Sequence, residues 1–136
     1  MRTIKFRAWD NVNNQMLDVQ ELNFEDCFYG GYTTVRTTMY SDYFDIREMP
    51  IMQYTGLHDK KGKEIYEGDI VSKEVFDDTK PNYINKSYAK VVYIEELAGF
   101  YLVNKSNKIL WKVADDKYNI EVVSTIYDNP ELLGGE

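Results

Sequence analysis

The chain has 136 residues, enough for one domain or for two very small ones sharing a core. Hydrophobic residues make up 43% and aromatics 15%, with 12 tyrosines, a composition that suits half-buried strand faces and contact surfaces. The net charge is −7, the largest excess of carboxylates falls in residues 21–50 and no segment is strongly basic; this disfavours general nucleic-acid binding, which needs clustered Lys and Arg to neutralise phosphates.

Residues 3–9 alternate, with Ile4, Phe6 and Ala8 on one side and Lys5, Arg7 and Trp9 on the other. A period of two predicts a half-buried strand. The turn-tolerant run Asp10-Asn11-Val12-Asn13-Asn14 follows, and Met16, Leu17 and Val19 resume the apolar pattern, so 3–9 and 15–19 read as a hairpin. In residues 20–50, Thr33 to Met39 reads as a strand and Ser41 as the cap of a short helix running to Glu48, with Pro50 as a stop.

Ile51 to Tyr54 reads as a strand, Asp59-Lys60-Lys61-Gly62 as a tight turn and Glu64-Ile65-Tyr66 as the return strand. Glu67-Gly68-Asp69 is a second turn leading into Ile70-Val71. After it come short strands at 70–76, 88–95, 99–104, 108–113 and 119–127, separated by a polar loop at 77–87 with Pro81 and by turns at Gly99 and at 104–107. Five short strands with close turn signals predict a small barrel. Asn129 before Pro130 marks the start of a single helical turn. The fold class is therefore mainly β with little helix. The expected core is Phe6, Trp9, Ile51, Tyr54, Ile65, Ile70, Val71, Val91, Tyr93, Phe100, Leu102, Val122, Ile126 and Tyr127. Trp111 is expected in or near it.

Three blocks of the sequence strongly resemble the YopX family of phage and prophage proteins. They are Ile4-Lys5-Phe6-Arg7-Ala8-Trp9-Asp10 with Met16, the long run from Met52-Gln53-Tyr54-Thr55-Gly56-Leu57-His58 through Asp59-Lys60-Lys61-Gly62-Lys63 to Glu64-Ile65-Tyr66-Glu67-Gly68-Asp69-Ile70-Val71, and Ile126-Tyr127-Asp128-Asn129-Pro130-Glu131-Leu132. They cover roughly a third of the chain, at its start, middle and end. The resemblance implies a phage or prophage origin in a bacterium and a C-terminal part like an SH3-type small barrel. It supplies no catalytic mechanism. The organisation expected is an N-terminal β or mixed segment over 1–50, then a hairpin plus SH3-like barrel over 51–136, packed as one compact unit.

His58 is the single histidine and Cys27 the single cysteine. A Ser-His-Asp or Cys-His system would need His58, which reads as an exposed residue beside a turn. Cys27 reads as an inert thiol, and one cysteine excludes an intrachain disulfide and a multi-cysteine zinc site. Glu64, Glu67 and Asp69 form an acidic cluster suited to a metal-dependent hydrolase, but alternation along a strand should separate Glu64 from Glu67, and Asp69 suits an Asx-type turn. Neither GxGxxG nor GxxxxGK[ST] occurs, so no cofactor is expected and no catalytic or metal-binding residue is assigned. The chain opens without the apolar run of a signal peptide, and no apolar stretch is long enough to span a bilayer, so a bacterial cytoplasmic location with no membrane partner is expected.

The sequence thus reads as a non-catalytic binding module whose partner is a host or phage protein. Tyr54, His58, Lys60, Lys61, Lys63, Tyr66, Glu67 and Asp69 form the expected binding surface. Tyr- and Thr-rich edges also allow a homo-oligomer. A nucleic-acid accessory role is the alternative, with Lys60, Lys61 and Lys63 beside Tyr54 and Tyr66 as its patch.

Overall fold

The computed structural model describes residues 2–76, 78–80 and 84–134. The chain divides into two compact units, 1–54 and 55–136. The architecture is mainly β, as the sequence predicts. The strands are β1 (Phe6–Asp10), β2 (Gln15–Asp26), β3 (Tyr32–Thr37), β4 (Phe44–Asp45), β5 (Ile51–His58), β6 (Glu64–Tyr66), β7 (Asp69–Phe76), β8 (Ile84–Ile94), β9 (Gly99–Val103), β10 (Ile109–Lys112) and β11 (Ile120–Thr125). Among the described residues one short helix, α1 (Val113–Asp116), and three 3₁₀ turns complete them.

In the first unit the expected hairpin is present, with Arg7 opposite Asp18 and Asp10 opposite Gln15. β1 also pairs with β5, Phe6 opposite Gln53. Within this unit the strand order is β4-β3-β2-β1-β5, and β6 follows β5 in the second unit. Ala8, Val35 and Met49 are buried at the centre, with Val19, Leu22 and Ile51 packed against them. β2 is longer than alternation over 15–19 suggested because β3 pairs along its second half.

The helix expected from Ser41 to Glu48 is absent. Phe44 and Asp45 pair instead with Val35 and Thr34 as β4. The cause is local competition for the backbone. One Asp45 carboxylate oxygen accepts the Arg47 amide at 2.8 Å, and the Asp45 carbonyl accepts the amides of Glu48 and Met49. Those bonds close a turn, and Pro50 follows.

In the second unit the strand order is β10-β9-β8-β7-β11, all antiparallel. Ile65, Val71, Val91, Leu102, Val113 and Ile120 are central in its core, and Trp111 packs against it. The predicted small barrel is an open sheet here. β10 and β11 form its two edges, and α1 lies between them in sequence. Of the expected polar loop at 77–87, residues 84–87 are already strand, because β8 pairs with β7 out to Ile84 opposite Phe76. Residue 77 and residues 81–83, Pro81 included, lie outside the described residues.

The expected core is buried at Trp9, Tyr54, Ile65, Ile70, Val71, Val91, Leu102 and Val122. Phe6, Ile51, Phe100, Ile126 and Tyr127 are half-buried. Tyr93 is a correction: it is 45% exposed, near the end of β8, where its ring meets Phe100 edge-on at 5.2 Å. Asn129 precedes a 3₁₀ turn with Pro130 in its first turn, but its side chain makes no cap bond; its amide donates to Glu131 and its oxygen accepts from Ser124.

Candidate binding surface

Within the run of turn residues at 59–69, the buried carboxylates hold backbone together. Asp59 is 5% exposed. Its Oδ1 accepts the amides of Lys61 and Lys63, both at 2.9 Å, and its Oδ2 accepts the amide of Val122 at 2.8 Å. Burial alone would push this carboxyl up; the amides of Val122, Lys63 and Lys61 outweigh it and hold it below the ordinary value. The register of β11 shifts between Val122 and Ser124, at the point where the Val122 amide turns to Asp59. The Lys60 amide donates to the Ile120 carbonyl at 3.1 Å. The turn therefore covers part of an edge strand.

The surface expected from sequence separates accordingly. Tyr54 and Asp69 are buried, at 5% and 1% exposure, and so do not face solvent. Lys5 lies over the Tyr54 ring at 5.0 Å, and Asp69 accepts the Tyr66 amide at 2.8 Å. Glu64, Tyr66 and Glu67 are half-buried; His58, Lys60, Lys61 and Lys63 are exposed. Lys61 pairs with Glu121 at 3.3 Å. Lys60 lines a cleft of about 420 Å³ with Lys73, Glu74, Phe76, Tyr118 and Asn119. Lys73 is neutralised there by Asp116 at 2.8 Å and lies over Trp111 at 4.1 Å. Among the described residues no group of three His, Cys, Asp or Glu side chains could hold a metal ion, and no helix is long and apolar enough to cross a membrane.

A group of exposed aromatic residues lies elsewhere, at the far end of the β2–β3 hairpin. Phe28 is 91% exposed, Phe24 70%, Tyr32 50% and Tyr29 43%. Their support is polar and fixed. Asp26 is buried and caps the 3₁₀ turn Cys27–Tyr29, accepting the Phe28 amide at 3.0 Å on one oxygen and the Thr34 hydroxyl at 2.9 Å on the other. Gly30 and Gly31, at φ of 70° and 85°, then reverse the chain. The Arg47 guanidinium stacks 3.5 Å over the Tyr32 ring while binding Asp45. The Tyr29 hydroxyl donates to the Tyr43 carbonyl at 3.1 Å.

A charged network lies alongside. Glu21 accepts the Tyr43 hydroxyl at 2.8 Å and the Arg36 guanidinium at 3.1 and 3.3 Å. The Tyr43 bond, then Arg36, hold the Glu21 carboxyl below its ordinary value, and Glu21 raises Arg36 in return. Cys27 is exposed on the turn. Sequence reasoning missed these aromatics because residues 20–50 lack a clean period. The available signal was Gly30-Gly31 with aromatic residues on both sides, a turn whose rings have no strand face to cover.

The chain is similar to solved structures. Protein EF1440 from Enterococcus faecalis is 25% identical, with a TM-score of 0.64 and 98% of this chain matched to 99% of that one. The yopX protein from Bacillus subtilis is 23% identical, with a TM-score of 0.61 and 100% of this chain matched to 99% of that one, a likeness of fold. No curated protein matches the chain. The family described as YopX protein matches residues 5–134, nearly the whole length, and the chain belongs to the YopX family.

Proposed function

We propose that this protein is a non-catalytic binding module of phage or prophage origin that works in the bacterial cytoplasm and grips a host or phage protein with the far end of its β2–β3 hairpin. The observation that carries this reading is the exposed set Phe24, Phe28, Tyr29 and Tyr32 on a turn held by the buried Asp26. Aromatic anchors on a fixed support contribute most of the affinity of protein interfaces, because little side-chain freedom is lost on binding. The acidic surroundings favour a protein surface carrying basic residues over a nucleic acid. In the second unit, the order β11-β7-β8-β9-β10 with a helical turn before the last strand supports an SH3-like reading of that half.

The test is affinity capture from the native lysogen with the tagged full chain and with a Phe24→Ser, Phe28→Ser double variant, followed by mass spectrometry and nucleic-acid quantification. The expected result is one enriched protein with the natural chain and at least a tenfold loss with the variant, whose melting temperature is unchanged. Equal recovery by both chains, or recovery of nucleic acid alone, overturns the reading.

A further inference from the structure

At the β1–β2 turn a cleft of about 310 Å³ is lined by Asp10, Val12, Tyr40, Phe44, Glu48 and Met49, with Asn11 beside them. Its walls are largely apolar: Met49 is buried, and Tyr40 meets Phe44 edge-on at 5.6 Å. Its charged groups are both carboxylates. Glu48 stands exposed, on a turn fixed by its amide bond to the Asp45 carbonyl. Asp10 is only 3% exposed.

The Asp10 carboxylate is held entirely by neutral donors. Its Oδ1 accepts the amides of Val12 at 3.0 Å and Asn13 at 3.3 Å. Its Oδ2 accepts the side-chain amides of Asn13 and Gln15, both at 3.2 Å, and the Tyr40 hydroxyl at 2.8 Å. Led by the Tyr40 hydroxyl, these bonds keep the carboxyl far below its ordinary range, and Asp10 raises Tyr40. Hydrogen bonds of this kind fix an ionised group without cancelling its charge. The cleft therefore joins apolar walls, two ring faces and an uncompensated negative potential. That combination complements an aliphatic stem ending in a cation. A volume near the lower bound for small-molecule pockets suits one side chain better than a whole cofactor.

We infer that this cleft receives a single arginine or lysine side chain from the protein partner, its stem on Val12, Phe44 and Met49 and its cation between Glu48 and the Tyr40 ring above Asp10. The inference rests on the binding-module reading and adds the chemistry of what is bound: a basic segment.

The probe is Nα-acetyl-arginine amide, titrated into the isotopically labelled full chain and followed by amide chemical shifts. Nα-acetyl-norleucine amide, which has a stem but no charge, is the control. Saturable shifts are expected at Val12, Asn13, Tyr40 and Glu48, at least fivefold tighter for the arginine derivative and weakening as salt rises. Glu48→Gln should weaken binding about threefold, by loss of one exposed charge partner. Val12→Lys, at a position 82% exposed, should abolish it by placing a cation of the chain's own at the cleft mouth. Equal binding of the norleucine control, or no saturable shift at these four amides, overturns the inference. Because this titration needs no partner, such a failure with capture at the aromatic end intact removes the cleft alone.

Discussion

At the scale of residues, one carboxylate does more than its neighbours. Asp59 closes its own turn through two amides and binds the amide of Val122, 63 positions away. Each bond is to an ionised acceptor that is itself buried, and bonds of that kind contribute more than neutral ones. Asp59→Ala leaves three amides to find water and uncovers part of the β11 edge. The expected cost is about 3 kcal/mol of unfolding free energy, the scale for leaving buried donors unsatisfied. A urea denaturation curve reads it, and hydrogen exchange at Val122 should rise in the same variant. An unchanged midpoint would mean that water replaces the carboxylate without cost.

At the scale of elements, turns fix where strands begin. Gly68 has φ of 82° between β6 and β7. Its amide donates to the Val91 carbonyl at 3.0 Å and its carbonyl accepts the Ile126 amide at 2.9 Å. The same residue thus sets the bend and ties β7 to the chain on both sides. A β-branched side chain is strained at such a φ, so Gly68→Val should lower stability by roughly 1–3 kcal/mol. An unchanged melting temperature would contradict the conformation given to this turn. The hairpin end carrying Phe24 and Phe28 obeys other constraints. These two rings are 70% and 91% exposed, so their replacement should leave folding within about 0.5 kcal/mol of the natural chain.

At the scale of the whole molecule, the many fixed carboxylates make stability depend on pH. Asp10, Glu21, Asp45 and Asp59 are all held below their ordinary values. The causes differ: the Tyr40 hydroxyl leads at Asp10, Tyr43 at Glu21 and Arg47 at Asp45, while at Asp59 backbone amides overcome burial. A group whose folded pKa is depressed adds stability above its unfolded value and loses it as pH falls through the folded one. Resistance to urea should therefore be constant near neutrality and decline below about pH 5. Asp59→Asn should make that decline shallower, since one of the linked protons is gone. A flat profile down to pH 3 would show that these carboxylates are no better held in the folded chain than in the unfolded one.

The sequence by itself determined what depends on neighbours a few residues apart. Alternation at 3–9 gave β1, Asp10–Asn14 gave the first turn, and the spacing of Gly62 and Gly68 gave the β5–β6–β7 order. The motif blocks gave the family, which the match over 5–134 establishes. Tertiary structure alone decided whatever depends on distant partners. Phe44 and Asp45 became a strand because Val35 and Thr34 were there to pair with them, against a local helix signal. Asp59 reaches the amide of Val122, 63 positions away, only because the β11 register shift presents it, whereas the Asp69 bond to the Tyr66 amide is the local turn that its sequence suggests. The aromatic hairpin end and the Asp10 cleft were likewise hidden, because exposure and concavity are properties of a surface. Sequence spacing fixes the rings and carboxylates in order along the chain, but only packing decides which of them water can reach.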